Sequence, residues 1–450
     1  MTRDHETSAT VAAARPLRLH GWADRTVLGI ALAALAAGFG QFGLVAALGD
    51  VARHFGRLAH GASIADQVGL SGTELGIGLA VIRLASLGSL PIIGLADRYG
   101  RRALLLGTLA LGLALTVASA ASPGYWWFVA IFASGRPMLS ATNALAQVAA
   151  AEETSSKGRA AAVALTAGGY GVGAGLIAVI HSLASGTLGF RGMFALAAVP
   201  LAFLPVFRRW IEEPDRFAVV MAAGEHPFPV LGAVGSSYRR RLAVLAAIAF
   251  AISIVSGPAN SFVYLYAQDV LHQPGYATAV MVVGAGVAGL AGLLAGRWLA
   301  DHLGRRATAT MATVGLALFG ALTYAGSRTA LVVGYVLGVL AGSILAPAAG
   351  ALLTELFPTE VRASAAGWWV ASSVAGAVVG LIAFGAVADV GDRFRVAAEV
   401  TFLPATLASA LFWLVPETRG REPEELWRVA LHGRGGRAST TEDGGAPPRT

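Results

Sequence analysis

A short charged phrase that occurs twice is the feature that most constrains this sequence. Residues 95–102 read LADRYGRR and residues 299–306 read LADHLGRR, so the second copy begins 204 positions after the first (299 minus 95). Glu213 and Glu417 keep the same offset of 204 (417 minus 213). The chain therefore consists of two similar halves, and internal duplication between apolar segments is typical of secondary transporters.

The composition indicates a membrane protein. Of the 450 residues, 56% are hydrophobic and 13% are charged, whereas soluble domains carry about 25% charged residues. The chain has no cysteine, which excludes disulfides and thiolate metal sites, and we expect no metal and no cofactor. The net charge of +7 does not indicate nucleic-acid binding, because the arginines form short clusters between apolar segments.

Twelve apolar segments are long enough to cross a bilayer core as helices. The predicted fold is an all-α membrane protein with twelve transmembrane helices in two pseudo-symmetric six-helix halves. The segments are 26–48, 74–96, 103–122, 125–150, 160–184 and 191–207 in the first half, and 242–266, 277–299, 307–325, 329–353, 363–388 and 397–415 in the second.

These segments divide the chain into two halves and three polar regions. The predicted regions are a tail 1–25, a half 26–207, a linker 208–241, a half 242–415 and a tail 416–450. Most lysines and arginines fall on the side of the two tails, so the positive-inside rule predicts that both termini are cytoplasmic. We expect a multi-pass protein of the plasma (inner) membrane, with the lipid bilayer as its partner and a monomer as its functional unit.

The loops resemble signatures of the major facilitator superfamily. The phrases containing Asp97 and Asp301 are similar to the signature that this family has between helices 2 and 3 and repeats between helices 8 and 9. The segment 355–363 (ELFPTEVRA) resembles its loop between helices 10 and 11. Segments 209–216 (RWIEEPDR) and 416–420 (PETRG) resemble markers of its sugar porter and metabolite symporter branch. The resemblance implies the major facilitator fold and transport by alternating access.

Charged residues of these loops are predicted to form a cytoplasmic gate. The resemblance implies that each aspartate faces a helix of the opposite half, where the helix N-terminus attracts a carboxylate. The arginine of the first phrase would meet Glu152 or Glu153, and that of the second would meet Glu355. We expect these contacts only while the cytoplasmic side is closed; the alternative is that the charges are solvated and only orient the chain. The predicted gate residues are Asp97, Arg101, Glu152, Arg159, Asp301, Arg305, Glu355 and Arg362.

Polar residues inside the apolar segments are expected to face a central cavity, because a charge in contact with lipid is costly. Spacings of three and four residues place the polar residues of helix 4 on one face, and those of helix 7 likewise. The resemblance implies that helices 1, 4, 7 and 10 line the cavity. The predicted cavity residues are Gln41, Arg83, Arg136, Ser140, Asn143, Gln147, Ser256, Asn260 and Tyr264.

Two arginines at a similar depth, with no carboxylate deep in any segment, favour an anionic substrate. Guanidinium groups pair bidentately with carboxylate or phosphate. We therefore expect secondary active transport of a small polar metabolite, foremost an organic anion, with or without H⁺. The alternatives are a neutral sugar or polyol and a multidrug/H⁺ exporter. Arg136 could instead be a structural residue, and Arg83 could extend towards the membrane surface.

Proton coupling requires a titratable group within the protein. His181 on helix 5 and Glu399 on helix 12 are the two candidates for a proton relay, and each could instead be an interfacial residue. No P-loop and no buried set of acid, base and nucleophile is visible, so we expect neither an ATP-driven protein nor an enzyme. The linker and tail are too short for a signalling domain, which disfavours a sensor.

Overall fold

The computed structural model of the protein describes residues 21–58, 67–155, 158–213, 238–390, 394–422, 425 and 427, without the side chains of residues 97, 98, 185, 359 and 360. The described residues form a bundle of α-helices. Much of the predicted linker and both predicted tails lie outside the described residues, so the predicted region boundaries stay predictions.

The N-terminal half contains six helices, α1 to α6, and a short helix Leu48–Phe55 between the first two. Their bounds are α1 Arg25–Ala46, α2 Gly72–Ala85 with Ser86–Gly88 and Ser89–Tyr99, α3 Arg101–Ser119, α4 Tyr125–Glu153, α5 the part of Arg159–Ala195 before Gly189, and α6 its remainder with Ala198–Ala202 and Leu204–Trp210. Ser71 and Glu74 form a capping box at the start of α2, with hydrogen bonds of 3.1 and 3.2 Å, which satisfies N–H groups of the first turn. Gly189 has a φ of 57°, which ends α5 because residues with a side chain rarely adopt it.

The C-terminal half repeats this order. Its bounds are α7 Arg239–Ser261 with Val263–Leu265 and the π-turn Tyr266–Val270, α8 Gly275–His302, α9 Arg305–Thr323, α10 Arg328–Glu355, α11 Thr359–Ala388, and α12 Phe394–Phe402 with Pro404–Ala408 and Ser409–Leu414. Gly304 precedes α9 with a φ of 101°, as Gly100 precedes α3 with a φ of 94°. The two repeated phrases therefore make the same turn in both halves.

Each of the twelve predicted segments coincides with a helix. Nine of the described helices are long and apolar enough by themselves to cross a membrane, namely α1, α2, α3, α5, α7, α8, α10, α11 and α12. The other three are α4, which carries the predicted polar stripe, α6, which is interrupted after Ala202, and α9. The predicted fold of two six-helix halves is confirmed.

The apolar core differs between the two ends of the bundle. We call the end with residues 97–102 and 301–306 the signature end, and the end with residues 47–58, 67–72 and 266–275 the distal end. At the distal end one buried cluster includes residues of both halves, such as Phe128 and Phe384. At the signature end the N-terminal and C-terminal halves have separate clusters. The halves are therefore packed together at the distal end and divided towards the signature end.

Candidate functional site: a cavity between the two halves

A cavity of about 380 Å³ lies between the halves, where the shared distal core ends. Helices α1, α2 and α4 form its wall in the N-terminal half, and α7 and α11 form its wall in the C-terminal half. Five of the nine predicted cavity residues line it, and they are Gln41, Arg83, Arg136, Ser256 and Asn260. Since none of its described lining residues is an aspartate or glutamate, the wall carries positive charge.

Arg136 is held in the cavity wall by a neutral amide. Its Nη1 donates to the backbone carbonyl of Gln41 at 3.2 Å. The Gln41 side chain fits its surroundings when its oxygen faces Arg136, where it accepts from Nη2 at 2.9 Å and from Nε at 3.1 Å. The amide nitrogen then donates to the Tyr170 hydroxyl at 2.8 Å. Amide orientation is assigned from such partners, and these partners orient the guanidinium without neutralising it.

Tyr170 on α5 is a functional candidate that sequence reasoning missed. Its ring also packs edge-on against Phe42, with centroids 5.9 Å apart. The only signal in the sequence is that it is the sole aromatic residue in the glycine-rich run 168–175. A helical pattern cannot show that its hydroxyl meets Gln41, because the two residues come from different helices.

Arg83 is the second positive charge of the wall. Its Nε is buried and has no hydrogen-bond partner among the described residues. Arg83 and Arg136 both line the cavity. The cavity thus contains two guanidinium groups and one donor that no described residue satisfies.

Asn260 and Ser256 supply neutral polar groups on the opposite wall. They lie one helical turn apart on α7, and the Asn260 amide donates to the Ser256 carbonyl at 2.9 Å. Asn260 is exposed to the cavity. The predicted stripe on this helix is therefore present at these two positions.

Four predicted cavity residues do not line the cavity. The Ser140 hydroxyl lies 3.3 Å from the Gln41 side-chain amide. Asn143 and Gln147 lie further towards the signature end and contact each other at 3.4 Å. Tyr264 is buried in the distal core with its hydroxyl 3.4 Å from that of Tyr335. The helix geometry changes at Phe262, so the stripe of α7 does not continue to Tyr264.

The two candidates for a proton relay lie in different environments. His181 is buried, and its Nε2 lies 2.8 Å from the Asp50 carboxylate at the distal end. Glu399 is exposed and pairs with Arg395 on the same helix at 2.8 Å. Glu399 is not among the residues that line the cavity, and the relay role of both residues stays a prediction.

Polar contacts join the halves at the distal end, and two sets of them involve carboxylates. Arg53 pairs with Asp50 in its own half and with Asp269 of the C-terminal half. The Asp389 carboxylate accepts hydrogen bonds from the start of α2, at 2.8 Å from the Thr73 N–H. An acidic residue at a helix N-terminus is stabilising. These contacts form a distal clasp, which comprises Asp50, Arg53, Thr73, His181, Asp269 and Asp389.

The clasp lowers the pKa of Asp50. Burial raises this pKa, but the hydrogen bond and charge of His181, followed by those of Arg53, outweigh burial. The carboxylate is therefore held in its charged form while the distal end is closed. Sequence reasoning missed the clasp, because its partners lie far apart along the chain.

The predicted gate residues make contacts within each half. Arg101 binds Glu152 through two hydrogen bonds of 3.1 Å, and Arg305 lies 3.4 Å from Glu355. The Asp301 side chain is 53% exposed and pairs with Arg305 at 3.3 Å. Both arginine–glutamate pairs exist although the apolar core is divided at this end. The expectation that they require a closed signature end stays a prediction.

The remaining gate residues have weak or undescribed contacts. Arg362 donates to the Phe357 carbonyl at 3.4 Å, and Arg159 is exposed at the start of α5. The Asp97 side chain lies outside the described part of the structure. The gate role of the set stays a prediction.

Glu213 and Glu417 explain why the turn of the repeated phrase is stable. Glu213 accepts from the N–H groups of Arg101 and Arg102 at 2.6 and 3.1 Å. Glu417 accepts from the equivalent groups of α9 at 2.9 and 3.1 Å. Each carboxylate caps a helix N-terminus of its own half. In the sequence, the shared offset of 204 residues marked Glu213 and Glu417 as equivalent. It did not show that they bind the N–H groups at the starts of α3 and α9.

Comparisons with known proteins agree that this chain is similar to membrane transporters. The model of the Major Facilitator Superfamily matches residues 30–316 and 280–435. A protein of Haemophilus influenzae that is named as a metabolite transport protein is 26% identical over 299 residues, which cover 60% of this chain and 69% of that protein.

Solved structures of transporters have a similar fold. The inward-open conformation of the xylose transporter XylE from E. coli has a TM-score of 0.70 at 18% identity, with 90% of this chain and 98% of that chain covered. A nucleoside transporter has a TM-score of 0.68 at 12% identity, with 86% and 99% covered.

Proposed function

Because this chain belongs to the major facilitator superfamily, we propose that its central cavity carries a small organic anion across the plasma membrane by alternating access. The chain is a multi-pass membrane transporter and not an enzyme. The substrate class, the direction of the open end and any coupling to H⁺ are the proposed parts.

The uncompensated charge of Arg83 and Arg136 carries the proposal. A guanidinium group inside a membrane protein is costly unless it has a partner. The described wall offers Arg136 a neutral amide, and it leaves Arg83 Nε without an acceptor. A carboxylate in the cavity would accept charge-assisted hydrogen bonds from both side chains. Binding an anion would therefore offset the cost of holding two guanidinium groups in the wall.

The signature end is the proposed cytoplasmic end. It carries the arginine clusters of both repeated phrases and of segment 239–241, as expected for the inner side of a membrane. In this orientation, the formed distal clasp and the divided signature end support a state that faces the cytoplasm.

Cotransport of H⁺ is a further part of the proposal. The His181–Asp50 pair is the buried titratable pair that supports it. The pair belongs to the clasp and not to the cavity, so a proton would act on the closure of the distal end. Uptake by proteoliposomes that is independent of pH, without alkalinisation of the medium, would exclude this part.

A sugar or polyol is the second candidate substrate. The neutral groups of Gln41, Ser256 and Asn260 could bind hydroxyls. One of the similar structures is a D-xylose-proton symporter, with a TM-score of 0.67 at 18% identity. A likeness of this degree supports the fold and leaves the substrate to be measured.

Ligand-induced thermal shifts of the purified protein test the proposal. The probes are acetate, benzoate, gluconate, glucose 6-phosphate, xylose and a cationic dye. We expect stabilisation by carboxylates and a loss of affinity of about 10- to 100-fold in Arg136→Gln and Arg83→Gln, since a hydrogen bond to a charged group contributes about 1.5–3 kcal/mol. Arg240→Gln is the matched control, because Arg240 is exposed at the signature end.

Two outcomes would overturn the anion assignment. Stabilisation by xylose that persists in Arg136→Gln would favour the sugar porter. Stabilisation by the cationic dye alone would favour an exporter of cationic compounds.

A further inference from the structure

A second cavity of about 350 Å³ lies within the C-terminal half, between α7, α9 and α10. Ser256 and Asn260 line both this cavity and the central one. The two cavities therefore adjoin at these residues.

The wall of the second cavity is largely apolar. Its described lining includes Leu316, Val339 and Leu345, and no charged residue is among them. Two of its polar groups are already engaged within the protein. The Thr323 hydroxyl donates to the Phe319 carbonyl at 2.8 Å, and the Tyr335 hydroxyl contacts that of Tyr264.

Two free polar groups lie where the cavities meet, and the Ser343 hydroxyl on α10 is a third polar group of the second cavity. The Asn260 amide nitrogen is bonded to its own helix, which leaves its oxygen and the Ser256 hydroxyl for a ligand. A ligand would thus meet cations in the first cavity, neutral polar groups at the junction, and apolar surface in the second.

We propose that the second cavity binds the uncharged body of the substrate, so that the transported anion is a carboxylate with an aromatic or aliphatic body. This inference rests on the proposed anion transport. The carboxylate binds Arg83 and Arg136, and the body is removed from water against Leu316, Val339 and Leu345. Removing apolar surface from water is favourable in proportion to its area.

Gly342 offers a way to fill the second cavity without disturbing the first. It lines the second cavity on α10, and a Cβ at this position would lie 3.7 Å from Leu316 Cδ1, which is ordinary contact. Gly350 lies on the same helix outside both cavities, and a Cβ there would meet nothing within 4 Å. Gly342→Leu and Gly350→Leu therefore form a matched pair.

The test compares the affinities of acetate, benzoate and gluconate for the unmodified protein and the two variants. We expect benzoate to bind the unmodified protein at least about 10-fold more tightly than acetate, within the range by which apolar pockets discriminate small groups. Gly342→Leu should lose this advantage and keep its affinity for acetate. Gly350→Leu should behave as the unmodified protein.

The outcomes separate this inference from the proposed function. Three results would overturn the inference that the second cavity binds an apolar body, although anion binding would stand. They are equal affinities for benzoate and acetate, tighter binding of gluconate than of benzoate, and an unchanged preference for benzoate in Gly342→Leu. If none of the three carboxylates binds, the proposed anion transport itself fails. Should Gly342→Leu not fold, the three affinities of the unmodified protein still decide the matter.

Discussion

The two ends of the bundle use the same residue types in opposite ways. At the distal end, Arg53 and Asp389 connect one half to the other. At the signature end, Arg101 and Arg305 bind glutamates of their own halves. Charge at the distal end therefore determines how the halves sit against each other, whereas charge at the signature end determines the shape of each half.

Burial explains why the distal contacts matter more. The carboxylates of Asp50 and Asp269 are 9% and 8% exposed, and breaking a buried pair leaves an uncompensated charge. The carboxylates of Glu152 and Glu355 at the signature end are more exposed, at 23% and 25%, so breaking their pairs leaves a less buried charge. Alternating access requires the distal contacts to break and form again, while the contacts within the halves can persist throughout.

A substitution that prevents close helix packing at the distal end should give the largest increase in access to the cavity from that end. A Cβ on Gly385 of α11 would lie 2.1 Å from the backbone oxygen of Gly72, so Gly385→Leu should prevent close approach of α2 and α11. The chain has no cysteine, so Asn260→Cys is a single reporter inside the cavity. We expect labelling of this cysteine by an impermeant maleimide from the distal side to rise at least about 10-fold.

Gly286→Leu is the control for this experiment. A Cβ at Gly286 on α8 would meet nothing within 4 Å, so labelling should stay low. If labelling stays equally low in a folded Gly385→Leu protein, glycine packing does not keep the distal end closed.

Replacing one carboxylate at each end should distinguish the two ends, because only the distal replacement should raise access to the cavity from the distal side, and by a moderate factor. Asp389→Asn keeps an acceptor at the start of α2 but removes the negative charge that the helix N-terminus favours, a contribution of about 0.3–1 kcal/mol or more when partly buried. We expect labelling of Asn260→Cys from the distal side to rise about two- to fivefold.

Asp301→Asn is the matched change at the signature end. Asp301 is exposed and pairs only weakly within its own half, so the labelling from the distal side should not change. An equal response in Asp389→Asn and Asp301→Asn would show that the two ends do not differ as the structure indicates.

Acid should produce the smallest effect, and it should act at the distal end through Asp50. Its pKa in the clasp lies below the ordinary value of 3.8, so the charged form stabilises closure above that value. This contribution is lost as the pH falls through the lowered pKa. We expect the labelling rate from the distal side, divided by that of free cysteine at the same pH, to rise only below about pH 4.

Asp50→Asn should remove this pH dependence and raise labelling at neutral pH. The pKa of Glu417 is lowered as well: burial raises it, but hydrogen bonds from backbone N–H groups, that of Arg306 first, outweigh burial. Glu417 acts within one half, so Glu417→Gln should leave the pH dependence of distal labelling intact. A pH response that survives in Asp50→Asn would assign the effect to another group.

Local features made the fold and part of the site predictable. The length of each apolar segment and the offset of 204 residues are properties of the sequence, and they determine the helices and the two halves. Gln41, Arg83 and Arg136 could be assigned to the cavity because polar residues in apolar helices must avoid lipid. Tyr264 could not be placed correctly, because the irregularity of α7 at Phe262 has no counterpart in a regular helical pattern.

The sequence by itself determined that this protein has twelve membrane helices in two halves with positive charge between them. Only the tertiary structure decided which end is closed, which partner each charge has, and that a second cavity adjoins the first. Helix formation depends on neighbouring residues, whereas the clasp of Asp389 with Thr73 joins residues that lie 316 positions apart. Such contacts arise from the packing of complete halves, and no local pattern encodes them.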